Sequence, residues 1–137
     1  MNKEKALMAT AYIWAQCSTA ERLKVGSIIS RDNRILAQGY NGTLPGDDNI
    51  CEDENGVTKD SVIHAEQNLL MFCAKHGIAT KDCVVHVTHA PCIFCAKLMI
   101  SAGIKKVVYS KEYRLSDGVD LLHKFGIDVV HLPIEDI

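Results

Sequence analysis

CVVHVTHAPCIFCAKLMISAGIKKVVYS, residues 83–110, reads as strand, helix, strand. The flanking stretches, Cys83 to Thr88 and Lys106 to Ser110, are rich in the β-branched residues that suit a pleated, half-buried surface. Between them, Pro91 to Ala102 is an apolar run closed by Gly103, a residue type that favours a left-handed helix cap. Pro91 suits the first helical position, where its missing N–H leaves no hydrogen bond unmade. Cys92 and Cys95, three apart on this helix, would present both thiols on one face.

Working outward, helices continue to alternate with strands. Upstream, a helix from about Val62 to His76 stops at Gly77. Downstream, a helix from roughly Gly118 to Lys124 ends near Gly126, before a last strand from Ile127 to His131. At the beginning, Lys3 to Cys17 reads as a helix with Ala6, Ala9 and Ile13 on one stripe. Strands from Val25 to Ser30 and Arg34 to Gln38 then flank Arg31-Asp32-Asn33, whose residue types suit a tight hairpin turn. Tyr40 to Asp60 holds most of the turn formers and reads as a long loop, a feature that in a compact domain tends to serve function or move. Helices placed between strands argue for α/β class, with one sheet covered on both faces, in a single domain over residues 1–137.

The helices of Leu69 to Cys73 and Leu98 to Ile100 are apolar almost all round, which points to cover from beyond their own sheet and hence to contact between subunits. Cys73 and Cys83 read as small buried hydrophobes. With 137 residues and a formal charge of −2, the chain has room for one core and no strongly basic face, which disfavours a polynucleotide partner. No stretch approaches membrane-spanning length, and six cysteines without need of staples suggest a reducing, cytoplasmic setting.

The chemistry is concentrated in His64-Ala65-Glu66 together with Cys92 and Cys95. Two thiols and one imidazole are zinc-type ligands, and three ligands leave a fourth position open, as in catalytic rather than structural sites. Residues two apart point about 200° away from each other on a regular helix, so His64 must sit at or before the first turn if Glu66 is to share its site. Two helix N-termini would then face the metal and favour thiolate over thiol. Glu66, left without a partner, would stand beside the open position to move protons.

Three blocks in this order closely resemble the deoxycytidylate (dCMP) deaminase family: the Gly39-Tyr40-Asn41-Gly42-Thr43-Leu44-Pro45-Gly46 turn, His64 to Glu66, and the run from Val87 through Pro91-Cys92 and Cys95 to Tyr109. The similarity extends from near Ser18 to beyond Gly126. It implies a three-layer α/β/α sandwich of cytidine deaminase type with a five-stranded mixed sheet. It also implies zinc on His64, Cys92 and Cys95, with Glu66 as the catalytic proton shuttle in hydrolysis of dCMP to dUMP and ammonia, which supplies dTMP synthesis. Ala65, Thr88, His89 and Ala90 would grip the base edge, and Asn41 the sugar hydroxyl. Arg22 and Lys24, before the first strand, and Tyr113 with Arg114, after the Tyr109 strand, are candidates for the 5′-phosphate.

The same resemblance implies a homohexamer, switched on by dCTP and off by dTTP near Gly39, Tyr40, Gly42 and Gly46. Asp47 and Asp48 would be placed to hold an accompanying Mg2+. Some members carry a second, structural zinc that uses a cysteine at the position of Ala20 and another near Cys51; alanine at the first speaks against it here. The rival readings are a deaminase of another nucleoside, of guanine or of adenosine in transfer RNA, and a non-catalytic zinc-stabilised interaction module. Glu66 and the open fourth position favour an enzyme over the module.

Overall fold

The computed structural model describes residues 1–134, so the last three residues of the expected 1–137 domain lie outside it. Nine elements follow one another: α1 (Lys3–Ala15), β1 (Gly26–Arg31), β2 (Arg34–Tyr40), α2 (Ala65–His76), β3 (Val84–His89), α3 (Ile93–Ser101), β4 (Lys106–Lys111), α4 (Asp117–Lys124) and β5 (Asp128–His131). The strands form one mixed sheet in the order β2-β1-β3-β4-β5. β1 is antiparallel to both β2 and β3, whereas β3, β4 and β5 run parallel. The expected sandwich is therefore present, with its helices divided three to one between the faces.

The division follows from the alternation of side chains along each strand. Ile29, Val85 and Val107 point into the larger core with Leu69 and Cys73 of α2, Met99 of α3 and Leu122 of α4. Their neighbours Ile28 and Val108 point the other way, into a smaller core with Leu7, Met8 and Ala11 of α1. Cys73 and Cys83 are both fully buried in the larger core. The stripe expected on α1 is displaced, because Ile13 is exposed and the buried side is Leu7, Met8, Ala11 and Ala15. Gly26 fixes the close approach: α1 lies so near that a methyl there would fall on the Ala11 carbonyl oxygen, and the helix residues opposite it, Ala11 and Ala15, are small.

Caps and turns set the element ends. Asn2 accepts from Lys5 N–H at 2.8 Å to open α1. Asp32 and Asn33 both take positive φ, 53° and 62°, as a two-residue hairpin turn requires. Gly77 closes α2 at φ 69°. The long segment after β2 is irregular except for isolated bridges between Gly42 and Ile63 and between Glu52 and Thr58. No helix among the described residues is long and apolar enough to cross a membrane.

Candidate metal centre and substrate cavity

His64 is the residue that caps α2, with extended backbone (φ −75°, ψ 159°), and its N–H donates to Gln67 Oε1 at 2.7 Å. This end of the helix is tied to the sheet by Ser27 Oγ, which donates to the Ala65 carbonyl at 3.0 Å. Gly39 on β2 allows the approach, since a Cβ there would lie 2.7 Å from the Ala65 oxygen. The backbone thus leaves the loop at His64 and enters the helix before Glu66, which lets the two side chains share a site despite their spacing.

Cys92 caps α3 in the same extended conformation (φ −74°, ψ 171°). Pro91 therefore lies one residue before the cap and not at the first helical position expected for it. The preceding turn is fixed by Ala90 N–H donating to the Lys111 carbonyl at 2.8 Å. From the other side α4 presses so closely that a methyl on Gly118 would fall on the Pro91 carbonyl oxygen.

These two helix ends bring the ligand atoms of His64, Cys92 and Cys95 within 4.8 Å of one another. His64 Nδ1 lies 3.4 Å from Cys92 Sγ and 3.3 Å from Cys95 Sγ. Tetrahedral zinc, with bonds near 2.0 Å to nitrogen and 2.3 Å to sulfur, separates such atoms by about 3.5 Å, so the donor set fits that ion in type and spacing. The three ligands share protons unequally, with Cys92 readily deprotonated and Cys95 and His64 holding theirs. Cys92 is pulled down to about 4, chiefly by the hydrogen bond it receives from Cys95, and burial works against this. That same bond pushes the Cys95 thiol up, and the hydrogen bond with Cys92 raises His64. A cation entering here would take over the role of the shared protons.

Glu66 is 4% exposed and lies beside this cluster. Burial lifts its carboxyl to about 7, while its own backbone N–H and the Cys95 thiol favour the charged form. A carboxyl with that value can take up and release a proton near neutrality, which suits general acid–base work.

A cavity of about 520 Å³ opens over the cluster. Of the residues expected in the site, Arg22, Asn41, His64, Ala65, Glu66, His89, Ala90, Cys92 and Tyr113 line it, and so does Arg114. Lys24 does not, because its Nζ donates to the Ser18 carbonyl at 2.9 Å. Thr88 does not either: it is fully buried, and its Oγ1 accepts from Gly26 N–H at 3.2 Å and bonds His89 Nδ1 at 2.8 Å. Thr88 thus orients His89 from beneath. Asn41 has its side chain engaged with the loop before β1, where Oδ1 accepts from Val25 N–H at 2.9 Å and Nδ2 donates to the Leu23 carbonyl at 2.8 Å.

Glu52 also lines the cavity, and no sequence pattern had marked it. Its place depends on a fold-back of the long loop, for which the only local signal is the turn chemistry around Asp53 to Gly56. Ala20 is a wall residue of the cavity, and Cys51 is buried against Thr19, with Sγ 3.5 Å from Oγ1.

A second groove, of about 1030 Å³, lies across the molecule's α1–α2 side and takes in Gly39, Tyr40, Gly42, Gly46 and Asp47 together with Met71, Phe72 and Leu98. Asp48 is turned elsewhere, to Lys59 Nζ at 3.5 Å and Ile50 N–H at 2.9 Å. Met71 and Phe72, within the stretch expected to be covered, are 55% and 43% exposed in the single chain, and Phe94 of α3 is 64% exposed.

A family model described as the cytidine and deoxycytidylate deaminase zinc-binding region matches residues 1–111. The chain is 38% identical over 135 residues to ComE operon protein 2 of Bacillus subtilis, covering 95% of this chain and 71% of that protein. It is 32% identical over 115 residues to the deoxycytidylate deaminase of Mycobacterium phage D29, covering 72% of this chain and 86% of the other. Among solved structures, the dCMP deaminase of cyanophage S-TIM5 in complex with dCMP and dUMP superposes with a TM-score of 0.91 at 42% identity, over 94% of this chain and 96% of that one.

Proposed function

The chain belongs to the zinc-binding cytidine and deoxycytidylate deaminase family and is a hydrolytic deaminase, and on that premise we propose that it converts dCMP and water to dUMP and ammonia. The observation that carries the reading is the buried Glu66 carboxyl beside the three metal ligands, at the base of a cavity whose wall also presents Arg22 and Arg114. His64, Cys92 and Cys95 would hold zinc, which when bound supplies Lewis-acid activation of water at neutral pH. Glu66 accepts the proton of the attacking water and delivers it to N3 of the cytosine ring; it then takes the remaining proton from the C4 hydroxyl so formed and passes it to the amine, which leaves as ammonia. Ala65 and the His89-Ala90 turn face the base, and His89 is kept neutral chiefly by burial, with Lys111 adding to the effect. Arg22, Arg114 and Tyr113 provide donors for a 5′-phosphate.

Ammonia release from dCMP, CMP, deoxycytidine and dCTP, measured side by side, tests this reading. dCMP should give the highest kcat/KM, and equal efficiency on deoxycytidine would defeat the assignment of a nucleotide substrate. The product would feed dTMP synthesis in a reducing cytoplasm, a setting in keeping with six free cysteines.

The second groove favours a further reading, in which a nucleoside triphosphate with Mg2+ binds near the Gly39 to Gly46 turn, dCTP activating and dTTP inhibiting. Exposed Met71, Phe72 and Phe94 support assembly of the chain into a homo-oligomer, a hexamer by resemblance. Saturation curves for dCMP with Mg2+ and either triphosphate should differ in midpoint. Curves that coincide, without binding of either nucleotide by calorimetry, would leave an unregulated enzyme.

A further inference from the structure

The segment from Ser18 to Val25 forms one wall of the cavity without belonging to any helix or strand. It is held at two posts. Asn41 fixes its far end through Leu23 and Val25, and the Asn41 carbonyl accepts from Ser18 Oγ at 2.7 Å. Glu52 fixes its middle: Oε2 accepts from Glu21 N–H at 3.0 Å and from Arg22 N–H at 3.2 Å. Two successive backbone amides converging on one carboxylate oxygen make a small anion nest, here filled by the protein's own side chain.

Glu52 is itself held firmly. It pairs with Thr58 across an isolated bridge, follows the buried Cys51, and is bracketed by Lys59 N–H to the Cys51 carbonyl and Asp53 N–H to the Val57 carbonyl, each 2.8 Å. The Arg22 guanidinium, by contrast, makes no hydrogen bond or ion pair among the described residues. A long, flexible side chain with no anchor of its own points where its backbone is held. The residue that holds that backbone therefore decides whether the charge faces the cavity.

We propose that Glu52 is a positioning residue for substrate recognition, which clamps the Glu21-Arg22 backbone so that Arg22 meets the anionic end of the substrate. This rests on the reading that the cavity takes a nucleoside monophosphate. Glu52 acts through an acceptor oxygen and not through its charge. A glutamine at this position can still accept both amides, whereas aspartate falls one methylene short and alanine leaves both amides without a side-chain acceptor. The consequence belongs to binding of the phosphate and not to the chemistry at the ring.

Steady-state kinetics on dCMP and deoxycytidine, with zinc content confirmed for every protein, separates the possibilities. Glu52→Ala and Glu52→Asp should each raise KM for dCMP about tenfold, the effect of weakening one charge-assisted contact, with kcat held within about threefold. Their kcat/KM for deoxycytidine should match the parent protein, and Glu52→Gln should restore KM for dCMP. Arg22→Ala should raise the same KM, and combining it with Glu52→Ala should add nothing further. The aspartate variant keeps a buried carboxyl and serves if the alanine variant does not fold. An unchanged KM, equal losses on both substrates, failure of the glutamine to rescue, or losses that multiply in the double variant would each overturn the proposal. A parent protein that does not turn over dCMP would overturn the substrate reading itself, a result distinct from all of these.

Discussion

Glu66 is buried among thiols and an imidazole, and a charged form there would be costly without a task. Replacing it with glutamine preserves shape and removes the exchangeable proton. Glu66→Gln should keep stoichiometric zinc and the parent melting temperature, yet lose at least ~10³-fold in kcat, the upper range for a general acid–base group that serves several transfers. Metal analysis with single-turnover ammonia release checks this, and a loss under tenfold would assign the shuttle elsewhere. Cys92→Ser should behave differently, losing metal and activity together. At this scale the sequence was highly legible, because His64, Glu66, Cys92 and Cys95 sit at helix starts whose local signals are strong. Residues that reach the cavity through tertiary contacts were legible only in part. Lys24 and Thr88 had the right chemistry and chain position but are held by Ser18 and Gly26, and Glu52 arrives through a loop that no periodicity describes.

Among the elements, α4 bears on the metal centre although it supplies no ligand. Gly118 sits against Pro91 and Cys92 with no room for a methyl, so Gly118→Ala must push α4 away from the α3 cap or shift Cys92. Zinc affinity should fall about 10–100-fold, as when outer partners of a ligand are altered, and competition with a chelating dye would measure it. An unchanged affinity would mean that α4 yields instead.

The contact of α1 with the sheet has a different sensitivity. His86 of β3 is fully buried, bonds Glu4 Oε2 at 2.9 Å through Nε2, and has no partner for Nδ1 among the described residues; Lys106 reaches the other Glu4 oxygen at 3.8 Å. Burial lowers its pKa below the ordinary 6.5, with Lys106 also lowering it and Glu4 opposing. The unfolded chain then binds the proton more readily than the folded one, so this histidine costs stability as pH falls through 6.5 towards its folded value. Urea midpoints between pH 7.5 and 5.5 should drop more steeply for the parent than for His86→Gln. Parallel slopes would show that the proton is accommodated without opening α1.

Viewed whole, the molecule is clasped at one point by residues from two helices 28 positions apart. A metal that binds only the folded chain adds to its stability by mass action, so chelation should lower the melting temperature of the parent and leave Cys92→Ser unchanged. Equal melting with and without chelator would mean that the cluster is preformed by packing alone. The layer order was readable from the alternation of elements, and the strand order was not. Which strand pairs with which depends on long-range burial, and the three-to-one division of helices follows from contacts such as Gly26 against Ala11.

That strand order has a consequence for how the chain is made. β1 lies between β2 and β3, yet β2 follows it at once whereas β3 is complete only at His89, 58 residues after β1 ends at Arg31. The hairpin is complete at Tyr40, 49 residues before His89, so at synthesis rates of about 5–20 residues per second it waits roughly 2–10 s with one edge of β1 open. During that time Ile28 and Ile29 flank a row of unpaired amides and carbonyls, the kind of template on which nascent strands from neighbouring ribosomes could pair. α1, already synthesised, can shelter one face of the hairpin but not its edge, which makes this interval the one in which a holding chaperone would matter most.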